Sequence, residues 1–131
     1  QGVVPFNILG RVGRPEPDLS AFSPAAVREY VKAFKDPKAV HASCEDYRAA
    51  GTIDLVHDRR DLHKKLKMPV HALWGRKGVI HKLFNCLEDW REVAENVSGG
   101  PVNCGHFIPE EAPAKTLAEI RKFLRQHPIG A

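Results

Sequence analysis

The sequence predicts an α/β fold whose strands are confined to the second half of the chain. Two compact runs, Pro69-Val70-His71-Ala72-Leu73-Trp74-Gly75 and Pro101-Val102-Asn103-Cys104, are bounded by glycine or proline and have the form of buried strands. Segments at helical spacing follow each run. The resulting β-α-β-α order is that of parallel strands joined by a right-handed crossover. The third observation is the stretch at 99–113, where Gly105 makes a sharp turn after the second strand and leaves His106 exposed. A histidine on a turn at the carboxyl end of a strand is well placed to act as a general base, because the scaffold sets its position while its ring faces a cleft.

Bulk properties bound the rest. The chain has 131 residues, 43% of them apolar and 27% charged, which suits one ordinary globular domain. No apolar run approaches the roughly 18 residues of a membrane span, and no secretory signal pattern opens the chain. The chain begins at Gln1, which leaves room for a start upstream. The net charge of +4 raises the question of an acidic partner. Its densest basic run, His63-Lys64-Lys65-Leu66-Lys67, is short and has no interleaved aromatics, which argues against nucleic-acid binding and for a solvated helix face. Cys44, Cys86 and Cys104 are odd in number and widely spaced, the usage of reduced thiols in a cytoplasmic protein.

Residues 1–22, rich in glycine, proline and arginine, read as an irregular arm. Ser23-Pro24 then opens a helix with serine as N-cap and proline at the first helical position. Val27, Tyr30, Val31 and Phe34 form its apolar stripe, and it should stop near Lys35. Asp36-Pro37 repeats the start signal for a second helix carrying Val40, Cys44 and Tyr47 and ending before Gly51. A third, more polar helix is expected over 52–67, anchored by Leu55, Leu62 and Leu66. This charged, all-helical half, residues 1–67, has the character of a lid or cap. Residues 68–131 are the strand-bearing half. There, one helix is expected to carry Leu83, Leu87, Trp90, Ala94 and Val97 and to end at Ser98-Gly99-Gly100. A last helix, opened by Pro113, should turn Leu117, Ile120 and Leu124 inward and stop before Pro128. Two parallel strands cannot stand alone, since they need cover on both faces and neighbours at their edges. The sequence therefore reads as part of a larger α/β fold.

The residues also carry a family resemblance. Ala72-Leu73-Trp74-Gly75, the helix with Trp90-Arg91, and Cys104-Gly105-His106-Phe107 through Glu110-Glu111-Ala112-Pro113 together resemble the carboxyl end of an α/β-hydrolase. Ala42-Ser43-Cys44-Glu45-Asp46-Tyr47-Arg48-Ala49, then Thr52-Ile53-Asp54 and His57-Asp58-Arg59, are similar to the cap of haloacetate (fluoroacetate) dehalogenases, which are relatives of epoxide hydrolases. The resemblance spans about residues 22–124. It implies a partial α/β-hydrolase fold: a cap segment over 1–67 and the terminal part of the core over 68–131.

In that family an aspartate on a strand-turn-helix elbow attacks the carbon bearing the halogen, and a histidine oriented by a second acid activates the water that hydrolyses the ester. By the resemblance, His106 is that histidine, and Tyr47 is the cap tyrosine whose hydroxyl meets the leaving halide or, in an epoxide hydrolase, the epoxide oxygen. On spacing alone Tyr47 is a packed aromatic in the stripe with Val40 and Cys44. Many α/β-hydrolases place the orienting acid in a W-G-x-x-D context. Here the run is Trp74-Gly75-Arg76-Lys77-Gly78, and a glycine stands at the acid's position. That disfavours epoxide hydrolases of this arrangement and agrees with haloacetate dehalogenases, whose acid comes one strand earlier.

The nucleophile elbow is a second departure, since no G-x-S-x-G or G-x-D-x-G occurs in the chain. Asp58, in Val56-His57-Asp58-Arg59-Arg60, lacks the flanking glycines of a tight turn and reads as a charged residue of the cap helix. His41 and Cys44 share a helix face without a second ligand pair, so no metal is implied, and no cofactor either. Cys104 reads as a buried structural thiol. Glu110 and Glu111 stand just before the last helix, where carboxylates suit the positive end of the helix dipole, and that is explanation enough for at least one of them. The expected partners are a small haloacid-like substrate and whatever covers the bare sheet edge, either the N-terminal half of the fold or a second copy, with no nucleic acid and no membrane. Two further readings stay open. One is a truncated, inactive protein acting through association; the other is an epoxide hydrolase or esterase fragment.

Overall fold

The computed structural model describes residues 19–128, so the expected arm lies outside the described residues as far as position 18. The chain divides into two compact units, Gln1–His63 and Lys64–Ala131.

The described part of the first unit is helical. Helix α1 (Pro24–Ala33) starts where Ser23 Oγ accepts the Ala26 N–H at 3.1 Å. Pro24 fills a position whose N–H would have had no partner inside the helix. Helix α2 (Pro37–Ala50) starts in the same way, with Asp36 Oδ1 accepting the Lys38 N–H at 2.9 Å, and it closes on Gly51. Helix α3 (Ile53–Asp61) is shorter than the 52–67 expected and has no side-chain cap, because Thr52 Oγ1 donates back to the Arg48 carbonyl at 2.6 Å. Leu55 and Leu62 stay exposed, so little apolar burial is available to extend α3 against its polar composition. Asp58 lies within α3, as a charged residue of a helix rather than of a strand-to-helix elbow.

The second unit is built on two parallel strands, β1 (Val70–Gly75) and β2 (Val97–Val102). They pair in register from Val70 opposite Val97 to Gly75 opposite Val102. Leu66, expected on the third helix, instead bridges Ala94 in parallel, its N–H bonded to the Val93 carbonyl at 2.8 Å. The connection between the strands is two helices, α4 (Val79–Leu83) and α5 (Cys86–Val93), where one was expected. Phe84 is extended and Asn85, a residue that favours helix starts, opens α5. Strand β2 begins four residues before the expected Pro101, running through the Ser98-Gly99-Gly100 that had read as a helix end. Gly99 explains this. At φ 124° it lies against β1 so closely that a Cβ would sit 1.9 Å from the Ala72 carbonyl oxygen. After β2 come a single helical turn, α6 (Ile108–Glu111), and helix α7 (Pro113–Gln126).

The core of this unit is made of small residues: Ala72, Ala94, Val102, Cys104 and the Thr116 side chain. Thr116 Oγ1 donates to the carbonyls of Ala112 at 2.8 Å and Ile108 at 3.2 Å, tying α7 to α6. Strand β1, expected to be buried on both faces, is only partly covered, with Val70, His71, Leu73 and Trp74 half-buried. Leu117, Ile120 and Leu124 were expected to point inward, yet each is 44–47% exposed. Instead α7 buries Thr116 and sets the Phe123 ring on His71 of β1 at 5.0 Å. Two strands give a helix too narrow a floor to bury its whole apolar stripe.

Candidate active site

Both strands end at the same level, Gly75 opposite Val102, and the segment after β2 is laced to the segment after β1. The Arg76 N–H bonds the Val102 carbonyl at 2.8 Å and the Lys77 N–H bonds the Cys104 carbonyl at 3.0 Å. Gly75 makes the approach possible, because a Cβ there would come within 1.6 Å of the Gly105 oxygen. His106 stands exposed on this loop, its ring edge-on to Phe107 at 5.0 Å and an interplanar angle of 87°. Gly78, the position where an orienting acid was sought, is adjacent: a Cβ there would be 3.8 Å from His106 Cα. The place next to the histidine is therefore present in the fold and carries no side chain.

Glu111, to which the sequence assigns no role beyond a favourable place near a helix start, holds this loop. The Glu111 carboxylate accepts the Gly105 N–H at 2.7 Å and the Phe107 N–H at 3.2 Å, the two amides on either side of His106. The turn of α6 carries Glu111 back over the loop, and Gly105 leaves room for it, since a Cβ would lie 2.6 Å from both carboxylate oxygens. The available signal was the six-residue spacing between Gly105 and Glu111 across a single helical turn. Cys104 is buried beneath the loop. Burial pushes its thiol pKa up, the Glu111 charge adds to the rise, and Lys77 opposes it.

Tyr47 lies on α2 in the other unit and is 83% exposed. Val40 and Cys44 are exposed as well, so the stripe is not a packed one among the described residues. Elsewhere, His71 Nδ1 meets Ser98 Oγ at 2.9 Å, while its buried Nε2 has no hydrogen bond and lies 3.9 Å from Glu119. Among the described residues no group of three or more His, Cys, Asp or Glu is placed to hold a metal, and no helix is long and apolar enough to cross a membrane.

Known proteins resemble this chain over most of its length. A fluoroacetate dehalogenase from Burkholderia sp is 37% identical over 103 residues, 79% of this chain and 34% of that protein. A soluble epoxide hydrolase from Corynebacterium sp. (strain C12) is 38% identical over 105 residues, 79% of this chain and 35% of that one. The crystal structure of a Nostoc sp PCC 7120 protein assigned to the α/β-hydrolases superposes with a TM-score of 0.78 at 52% identity, over 82% of this chain and 37% of that one. The chain is homologous to part of an α/β-hydrolase. Its helices and two-stranded parallel sheet are a portion of that fold, and the chain spans about a third of the length of the curated relatives it matches. No protein-family model matches it.

Proposed function

We propose that this chain is the carboxyl-terminal portion of a haloacetate-type dehalogenase, with residues 1–67 as cap segment and 68–131 as the end of the hydrolase core. The reading rests on the 37% identity to a fluoroacetate dehalogenase. Glycine at 78 favours it over an epoxide hydrolase with an acid at that position. In this reading a carboxylate outside the present chain displaces halide from the α-carbon of a haloacid and forms an ester. Tyr47 donates to the departing halide. His106 takes a proton from the water that hydrolyses the ester. The exposure of His106 and Tyr47 supports these roles, since both side chains are accessible to a substrate. In this reading the aspartate nucleophile, the acid that orients His106 and the remaining strands lie outside this chain, which spans about a third of the length of its curated relatives. That complementary part would also cover the bare edge of the sheet. The isolated 131-residue chain is then inactive.

Halide release from fluoroacetate and chloroacetate tests this. The isolated chain should release none. Co-expression with the complementary N-terminal portion of the Burkholderia enzyme should restore release, and His106→Gln should abolish it. Release by the isolated chain that depends on His106 would overturn the reading, and failure of the complementing half to restore activity would favour a protein that acts only through association. The 38%-identical soluble epoxide hydrolase supports the second reading, an epoxide hydrolase, which an epoxide in the same assay distinguishes.

A further inference from the structure

We infer that Glu111 is a positioning residue for His106, acting through the backbone and not through the imidazole. This inference deepens the proposed function and rests on it for its catalytic meaning, but the geometry is independent of any reaction. One carboxylate accepts from the two amides that bracket His106, Gly105 N–H at 2.7 Å and Phe107 N–H at 3.2 Å. Holding the N–H groups of residues 105 and 107 restrains the short stretch of backbone that carries His106, and so narrows the directions its Cα–Cβ bond and ring can take. Charge-assisted bonds of this kind are about twice as strong as neutral ones.

Three other features make the brace specific. Gly105 has no Cβ, which would otherwise stand 2.6 Å from both oxygens. The short helix α6 returns Glu111 to the loop, and its first residue is held because Thr116 donates to the Ile108 carbonyl at 3.2 Å. From the opposite side, the Lys77 N–H holds the Cys104 carbonyl at 3.0 Å. The loop is thus gripped on one side by β1's trailing backbone and on the other by a single carboxylate. A histidine that must reach one water in a fixed pose gains from such restraint, because small misplacements of a catalytic group are costly.

Nuclear magnetic resonance of the 131-residue chain tests the inference with Glu111→Gln and Glu111→Ala. Glutamine has the same shape but a single carbonyl acceptor. A packing role predicts wild-type behaviour for Glu111→Gln. The positioning role predicts that one of the two flanking amides loses protection from hydrogen exchange, by roughly tenfold or more, the factor a charge-assisted bond implies. In Glu111→Ala both amides should lose protection, and the order parameter of the His106 ring should fall, while the β1–β2 ladder amides keep theirs. Unchanged protection at Gly105 and Phe107, an unchanged His106 ring, or loss only together with the ladder would each overturn the inference. If Glu111→Ala does not fold, Glu111→Gln still decides. Because no turnover is read, failure of the hydrolase reading and failure of this inference give separate results.

Discussion

Gly75 and Gly105 meet backbone to backbone: a Cβ on Gly75 would lie 1.6 Å from the Gly105 carbonyl oxygen and 2.5 Å from its carbon. Neither partner is a flexible side chain, so the overlap can be relieved only by moving β1 or the His106 loop. Gly75→Ala should therefore destabilise the second unit by about 3 kcal/mol or more. Gly100→Ala is the control. It has nothing within 4 Å of the added Cβ and should be neutral or stabilising by up to about 1 kcal/mol. Urea denaturation followed by the fluorescence of Trp74 and Trp90 measures both, since both tryptophans lie in this unit. Equal midpoints for the two variants would show that the close approach does not constrain the fold.

The starts of α1, α2 and α7 were legible because proline at the first helical position, with serine or aspartate before it in α1 and α2, is a local signal that tertiary packing has no reason to overrule. Ser98-Gly99-Gly100 was misread because glycine both ends helices and permits close passage in strands, and only the position of Ala72 across the sheet decides between them. The α4–α5 break was hidden because Leu83, Leu87 and Trp90 keep helical spacing across it. At the site, the loop carrying His106 was readable from its motif. Glu111 was not, because a carboxylate bonding backbone amides four and six residues earlier depends on a turn geometry that composition does not encode. The dipole explanation, sufficient for any acid near a helix start, concealed it.

The N-caps of the first unit differ in a way that mutation should expose. Ser23 and Asp36 each accept a backbone N–H, whereas Thr52 donates its hydroxyl to the preceding helix. Ser23→Ala and Asp36→Ala should each cost about 1 kcal/mol of local helix stability. Hydrogen exchange at Ala26 and Lys38 reads the loss directly. Thr52→Ala should leave exchange in the first turn of α3 unaltered, because no cap bond exists there to be lost.

Thr116 is a buried polar side chain of the small core, and its hydroxyl has a proton shared between two carbonyls. Thr116→Val keeps the shape, removes the donor and leaves both carbonyls without this partner. A cost of about 1–2 kcal/mol is expected, measured by urea denaturation. Thr116→Ser retains the donor and should recover most of the hydrogen-bond contribution while losing a methyl group. Serine no better than valine would indicate that packing, and not the hydroxyl, holds α7 to α6.

The three thiols should separate by reactivity and by their effect on stability at alkaline pH. Cys44 is exposed, Cys86 half-buried and Cys104 buried. Burial raises the pKa of Cys86 and Cys104, with Asp89 adding to the first and Glu111 to the second. A thiol whose pKa is higher folded than unfolded keeps its proton after the unfolded chain has lost it, so the folded state then binds more protons. By linkage, stability falls as pH rises above the unfolded thiol value of about 8.5 and goes on falling until the folded thiol ionises. Replacing Cys104 with alanine should flatten that part of the profile, measured as urea midpoints across the alkaline range. At constant pH, iodoacetamide followed by mass spectrometry should label Cys44 first and Cys104 last. Labelling Cys104 should track unfolding, because the thiolate is the nucleophile and both its formation and its access are suppressed in the fold. Early labelling of Cys104 in the native chain would mean that the His106 loop opens on its own, which the carboxylate of Glu111 and the backbone of Lys77 are placed to prevent.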